Sequence, residues 1–214
     1  LFSLAVIMGT CADPPRANLW LPLAVLLRAG FYGLLRPGEI YALQRAGVAL
    51  PGQRVRKCGR RGVLTILEPK NRRFAGIYQF AVVDDETTLG WLHWLCDGLP
   101  RAAKLFPLAS EWFRWGLRFL LDLMGLGHLG FVPASLRTGG ATARFFTDQN
   151  VGALRFQGRW RSDRGLENYL QEAVVALVWA DVEPAGQLIE KLLEIGEAFR
   201  GPPAQSWTHY FTRT

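Results

Sequence analysis

Six side chains have types and positions suited to chemistry at a charged oxygen: Arg36 and Glu39 in LLRPGEIYAL, Lys70 in LEPKN, Arg137 in SLRTGGAT, Trp160 in GRWRSD and Tyr169 in LENYLQE. Arginine presents a planar fork of N–H donors that matches the paired oxygens of phosphate. An amine beside a phosphate is placed to give up a proton, and a phenol is a nucleophile once its proton has gone. Each residue also has an ordinary structural use. Arg36 with Glu39 makes a corner ion pair, and Lys70 beside Arg72 and Arg73 makes a solvated hairpin tip. Ser135 to Gly140 reads as a capped helix whose glycines permit close packing. Trp160 reads as core, and Tyr169, next to Leu166 and Leu170, as a half-buried aromatic with its hydroxyl at the surface.

Positioning these residues requires a particular set of elements. Asp13-Pro14-Pro15 breaks the chain, and Leu19, Leu23, Leu26, Leu27 and Gly30 recur at helical spacing, predicting a helix buried on one face. It should end near Gly33 to Leu35, because the residue before Pro37 is driven away from helical geometry. Pro37 then opens a short helix, leaving Arg36 at the corner and Glu39 in the first turn, where a carboxylate suits the helix dipole. Between 45 and 84 the period changes. Val48 to Leu50, Val63 to Leu67 and Ile77 to Val83 are short and apolar, separated by Gly, Pro and Asn turns, predicting three antiparallel strands. Helical patterns return at 85–98, 110–124, 135–147, 151–157, 163–178 and 185–199, with Asp84, Asp85 and Ser110 as expected caps. The predicted fold class is mainly α with a small three-stranded antiparallel sheet.

The chain has 214 residues, enough to bury one core, and half of them are hydrophobic, which excludes a disordered chain. Lys and Arg exceed Asp and Glu by 25 to 18, giving a net charge of +7. This surplus favours a polyanionic partner, nucleic acid before membrane. Cys11, Cys58 and Cys96 are scattered, which argues for a reducing compartment and against a disulfide framework or a zinc site. No run reaches the ~18 apolar residues of a membrane span. The apolar segment Leu1 to Gly9 is short and lacks a basic flank, a poor match to a signal peptide. A soluble, intracellular protein is expected, and the absence of an initiator Met predicts a fragment or a processed form.

Taken together and in order, the LLRPGEIYAL, LEPKN, P-x-SLR-x-GGAT and GRW segments, with a tyrosine nine residues after the tryptophan, resemble the catalytic domain of the tyrosine recombinases (the phage-integrase family). The resemblance runs from about residue 17 to about residue 175, and its wording is similar to eukaryotic mobile-element and protist members. It implies that Arg36 and Arg137 clamp the non-bridging oxygens of a DNA phosphate and that Glu39 buttresses Arg36. Lys70 on a β-hairpin would protonate the leaving 5′-oxygen, and Trp160 would donate its indole N–H to the phosphate. Tyr169 would attack phosphorus to give a 3′-phosphotyrosyl intermediate. Arg72, Arg73, Arg159 and Arg161 would contact DNA. Neither a cofactor nor a metal is implied. The implied partners are double-stranded DNA and further copies of the chain in a tetramer, located with the DNA, in the nucleus if the source is eukaryotic.

One position departs from the family. Ala134 stands three residues before the second arginine, where the family usually has His, and alanine neither takes nor gives a proton. His128 lies nearby on a Gly-flanked loop, while His93 and His209 belong to no family motif. Three other functions therefore stay open: a non-catalytic DNA-binding remnant, a type IB topoisomerase-like relaxer and a plain helical scaffold. The expected organisation is a remnant or linker over 1–15, a catalytic domain over 16–182, a C-terminal helix over 183–200 and a flexible tail over 201–214. The apolar stripe from Leu188 to Phe199 suits either packing on the chain's own core or donation to a neighbouring protomer.

Overall fold

A computed structural model describes residues 1–52, 60–67, 79–167, 169–170, 186–199 and 201–202. The chain is mainly helical, with one small antiparallel sheet. Its centre is helix α2, Ala17–Tyr32. The one-face pattern expected for α2 understates its burial. Leu19, Trp20, Leu21, Leu23, Ala24, Val25, Leu26 and Leu27 are all buried, because helices pack on several sides of it. With Arg28 as its one charged residue, α2 has almost nothing that requires water.

The packing partners are α1 (Phe2–Ile7), α3 (Pro37–Ala42), α4 (Glu86–Cys96), α5 (Ser110–Leu123) and α6 (Pro133–Asp148). The segment expected to be a remnant or linker is thus partly core. Ala5 and Val6 are fully buried, and a π-helical turn over Met8–Ala12 carries the chain into α2. Seven apolar residues in the first eight leave α1 no stable alternative to docking.

Strands β1 (Val48–Ala49), β2 (Gly62–Ile66) and β3 (Gln79–Val83) pair antiparallel in chain order, with Leu64 opposite both Val48 and Ala81. Leu64, Ile66, Ala81 and Val83 turn one face of the sheet to the core. The middle strand stops one residue early, since Leu67 is exposed and outside the ladder. The remaining helices are α7 (Val151–Gly158), α8 (Asp163–Glu167) and α9 (Gly186–Ala198). The single helix expected over 163–178 is helical as far as Glu167, and Tyr169 occupies a turn beyond it. Residues 171–185 lie outside the described set.

Helix α9 rests on its own chain. Leu192 is buried, Gly196 passes close to Ser3, and the Trp91 indole donates to the Phe199 carbonyl at 2.9 Å. Among the described residues, no helix is long and apolar enough to cross a membrane.

The caps are partly as expected. Asp85 caps α4 by accepting the Thr88 N–H at 2.7 Å, and Arg28 donates to the same oxygen at 2.6 Å while lying over the rings of Phe2 and Tyr32. Ser110 is instead the first residue of α5, whose N-cap is Ala109, and its hydroxyl meets Glu111. Asp84 caps nothing. It takes both terminal nitrogens of Arg144 on α6, at 3.1 and 2.7 Å, and so ties α6 to the end of β3.

Hydrogen bonds from Arg144, with the attraction between the two charges, hold the Asp84 carboxyl below its ordinary value although burial opposes them. A depressed folded-state value means stabilisation that is present above the unfolded carboxylate pKa of about 3.9 and lost as pH falls through the folded value. Thermal melts between pH 7 and 2.5 should show the midpoint dropping below about pH 4. Asp84→Asn should melt lower at neutral pH and lose less on acidification. An equally steep acid limb in that variant would exclude this pair as a source of the acid sensitivity.

Candidate phosphate-binding site

The site forms where two helix ends meet. Helix α2 closes with Leu34 in the left-handed region (φ 50°), the Leu35 N–H bonding Gly30 O at 3.0 Å and the Leu34 N–H bonding Phe31 O at 3.4 Å. Helix α7 closes in the same way. Arg159 is left-handed (φ 61°), the Trp160 N–H reaches Arg155 O at 3.0 Å and the Arg159 N–H reaches Phe156 O at 3.1 Å. Glycine is the usual occupant of such a turn. A leucine and an arginine there cost on the order of 1 kcal/mol each. Both strained residues lie at this site, and both contribute to its hydrogen bonding.

The Leu34 carbonyl, swung inward by that turn, accepts from Arg137, and Arg159 Nη2 lies 3.5 Å from the same oxygen. A second terminal nitrogen of Arg137 donates to the Gly158 carbonyl. Arg137 is 2% exposed, and its guanidinium stacks 4.2 Å from the Trp160 ring and 5.5 Å from the Tyr169 ring. The two rings meet edge to face at 5.1 Å. Gly158 permits this fold-back, because a Cβ there would run into the Trp160 indole. The GRW motif therefore has a steric reason for its glycine.

Glu39 supplies the one carboxylate of the cluster. Its Oε1 accepts from Arg36 Nη1 at 2.8 Å, and its Oε2 accepts the Arg36 backbone N–H at 2.9 Å. Oε2 also takes Arg159 Nη2 at 2.5 Å. A continuous chain of contacts thus runs from Arg36 through Glu39, Arg159 and the Leu34 carbonyl to Arg137.

Burial, reinforced by repulsion from Arg36 and Arg159, pushes Arg137 down to about 10, while Glu39 and Tyr169 draw it back up. It remains a cation at neutral pH. Burial lowers Arg159 as well, and its pairing with Glu39 offsets part of the effect. Against these three guanidiniums stands one carboxylate among the described residues. Four buried donors, Arg137 Nε, Arg159 Nε and Nη1 and Trp160 Nε1, have no acceptor among the described residues. Buried positive charge with unused donors is the pattern of a site waiting for an oxyanion.

Comparison with protein-family models, with curated proteins and with solved structures finds no match to this chain.

Of the residues singled out in the sequence, Arg36, Glu39, Arg137, Trp160 and Tyr169 come together. Lys70, Arg72 and Arg73 lie outside the described residues. Arg161 is exposed, whereas Arg159, grouped with it as a DNA contact, is turned inward onto Glu39. Ala134 is exposed in the first turn of α6, one turn ahead of Arg137. His128 is also exposed, its Nδ1 lying 3.1 Å from Gly125 O of its own turn.

Two further participants carried no sequence signal. One is the Leu34 carbonyl, a backbone group. The other is Thr142, whose hydroxyl lies 3.1 Å from the Tyr169 carbonyl and 3.0 Å from that of Thr138, fastening the tyrosine turn to α6. The Tyr169 ring is half-buried in a small apolar cluster with Leu34, Ala141, Leu154 and Leu166.

A separate cleft of about 430 Å³ between α2 and α6 is lined by Phe31, Tyr32, Asp84 and Arg144. Its arginine is neutralised by Asp84 and Asp148, so it lacks the positive surplus of the Arg36–Arg137–Arg159 cluster.

Proposed function

We propose that the chain cleaves and rejoins double-stranded DNA through a covalent bond between Tyr169 and a DNA 3′-phosphate, as a tyrosine-recombinase catalytic domain. What supports the reading is the meeting of Arg36, Glu39, Arg137, Trp160 and Tyr169, spread over more than 130 residues of sequence, in one positively charged cluster. These are five of the six residues named by the motif resemblance, Lys70 lying outside the described residues, and an unrelated helical scaffold has no reason to assemble them.

In this reading Arg36 and Arg137 bind the non-bridging oxygens, and their charge stabilises the crowded phosphorus of the transition state. The Trp160 indole N–H adds a neutral donor. The Tyr169 oxygen forms the new P–O bond as the bond to the 5′-oxygen breaks, and the leaving oxygen takes a proton, by the resemblance from Lys70. With alanine at 134, the phenolic proton passes to solvent. The phosphotyrosyl bond conserves the energy of the broken ester, so a second 5′-hydroxyl reseals the strand without ATP. The working assembly would be several copies on DNA inside the cell.

The test uses nicked DNA duplexes in which the cleaved end diffuses away. The wild-type chain should accumulate a protein–DNA adduct stable to denaturant, and Tyr169→Phe should give none. An adduct that persists in Tyr169→Phe, or that never forms on cognate ends, would defeat the proposal.

A second reading, a DNA-binding remnant that has lost the chemistry, draws on two observations. Ala134 offers no proton acceptor, and two terminal nitrogens of Arg137 are bonded to the carbonyls of Leu34 and Gly158. It predicts salt-sensitive DNA binding without strand cleavage.

A further inference from the structure

Arg159 is the least expected member of the cluster, and its placement extends the oxyanion reading on which this inference rests. Its side chain is 10% exposed and is pinned by Glu39 at 2.5 Å. Glu39 already has a partner in Arg36, so charge balance does not require a second guanidinium. Arg159 also holds a left-handed backbone that an arginine adopts at a cost. Its Nε and Nη1 are buried with no acceptor among the described residues. A buried cation with two idle donors, in a strained backbone and next to two further guanidiniums, would be destabilising if packing were its only role.

We propose that Arg159 is a third oxyanion ligand beside Arg36 and Arg137, and that its unused Nε and Nη1 donate to the bound anion. Among the described residues, three guanidiniums and one carboxylate give the cluster two positive charges. A phosphodiester carries one negative charge. When the deprotonated Tyr169 oxygen bonds to phosphorus, two negative charges spread over the phosphorus oxygens until the bond to the 5′-oxygen breaks and that oxygen is protonated. The cluster thus matches the charge of the transition state better than that of the bound substrate, which is the condition for acceleration. Glu39 acts as a positioning residue whose two oxygens hold the guanidiniums of Arg36 and Arg159.

The experiment titrates the intact chain with sulfate, a dianion, and with dimethyl phosphate, a monoanion, by calorimetry and by thermal shift at constant ionic strength. The wild-type chain should prefer sulfate. Arg159→Gln should bind sulfate roughly 10- to 100-fold more weakly, the scale of losing charge-assisted bonds. Its melting temperature without anion should fall, because the buried bond to Glu39 is lost. The discriminating readout is therefore the ratio of sulfate to dimethyl phosphate affinity in the folded variant, which a purely structural role for Arg159 leaves unchanged. Arg159→Lys keeps the charge without the Nε and Nη1 donors, so it should bind sulfate measurably more weakly than wild type, and it serves if the glutamine variant does not fold. Sulfate affinity within twofold of wild type in either folded variant would overturn the proposal. A wild-type chain that binds neither anion overturns the clamp reading beneath it as well. Phosphotyrosyl adduct formation that is indifferent to Arg159 overturns this inference alone.

Discussion

Replacing Arg137 with alanine is expected to cost about 3 kcal/mol of folding stability, and Arg137→Lys about 2 kcal/mol. The guanidinium donates to the carbonyls of Leu34 and Gly158, which belong to two different helix ends, and its face covers Trp160. Truncation leaves both carbonyls buried without that donor and opens a void beside the indole. Charge-assisted bonds to buried carbonyls are worth roughly 1.5–3 kcal/mol each, and a desolvated stack on tryptophan adds on the order of 1 kcal/mol. Relief of the repulsion from Arg36 and Arg159 offsets part of that sum. Lysine retains the charge but cannot reach both carbonyls as a planar fork. Urea denaturation followed by tryptophan fluorescence measures the effect. An alanine variant within 1 kcal/mol of wild type would mean that the two helix ends are held together by something other than this side chain.

The second large effect concerns the crossing of α2 and α6. Gly140→Ala should lose about 3 kcal/mol, whereas Gly139→Ala should change stability by less than about 1 kcal/mol. A Cβ at 140 would strike the backbone carbonyl of Phe31 and lie 3.0 Å from Leu34 Cδ2. Neither backbone can yield without separating the helices. A Cβ at 139 would meet the Phe31 ring at 3.3 Å, and a side chain at that range has room to turn. Alanine also favours the helix by up to ~1 kcal/mol relative to glycine, which offsets the crowding at 139. Because Leu34 would move with the crossing, Gly140→Ala should weaken sulfate binding too. Equal stability losses at the two glycines, measured by thermal and urea unfolding, would contradict this account of the crossing.

The elements of the fold were largely legible in the residues. The helix over Ala17–Tyr32, the proline-led helix at Pro37, the three strands and the helices after Asp85 follow from period, breakers and caps, which are local properties. The all-round burial of α2 was not legible, because a helix does not record how many neighbours will cover it. Nor was the docking of α1 and α9, since an apolar stripe does not name its partner. Five members of the site could be picked out because their residue types suit phosphate chemistry and their order resembles a known family.

Only the tertiary structure decided how those residues are used. It brought Arg36, Arg137, Trp160 and Tyr169 together, turned Arg159 from a presumed DNA contact into a buried partner of Glu39, and made the Leu34 carbonyl an acceptor for Arg137. The physical reason is that left-handed turns at Leu34 and Arg159 lack the glycine that would have signalled them. They form because tertiary hydrogen bonds outweigh a local backbone cost, and that balance does not exist until the two helix ends meet. Residue types and spacing marked out the side chains whose chemistry suits a phosphate, and the fold decided which of them face one another.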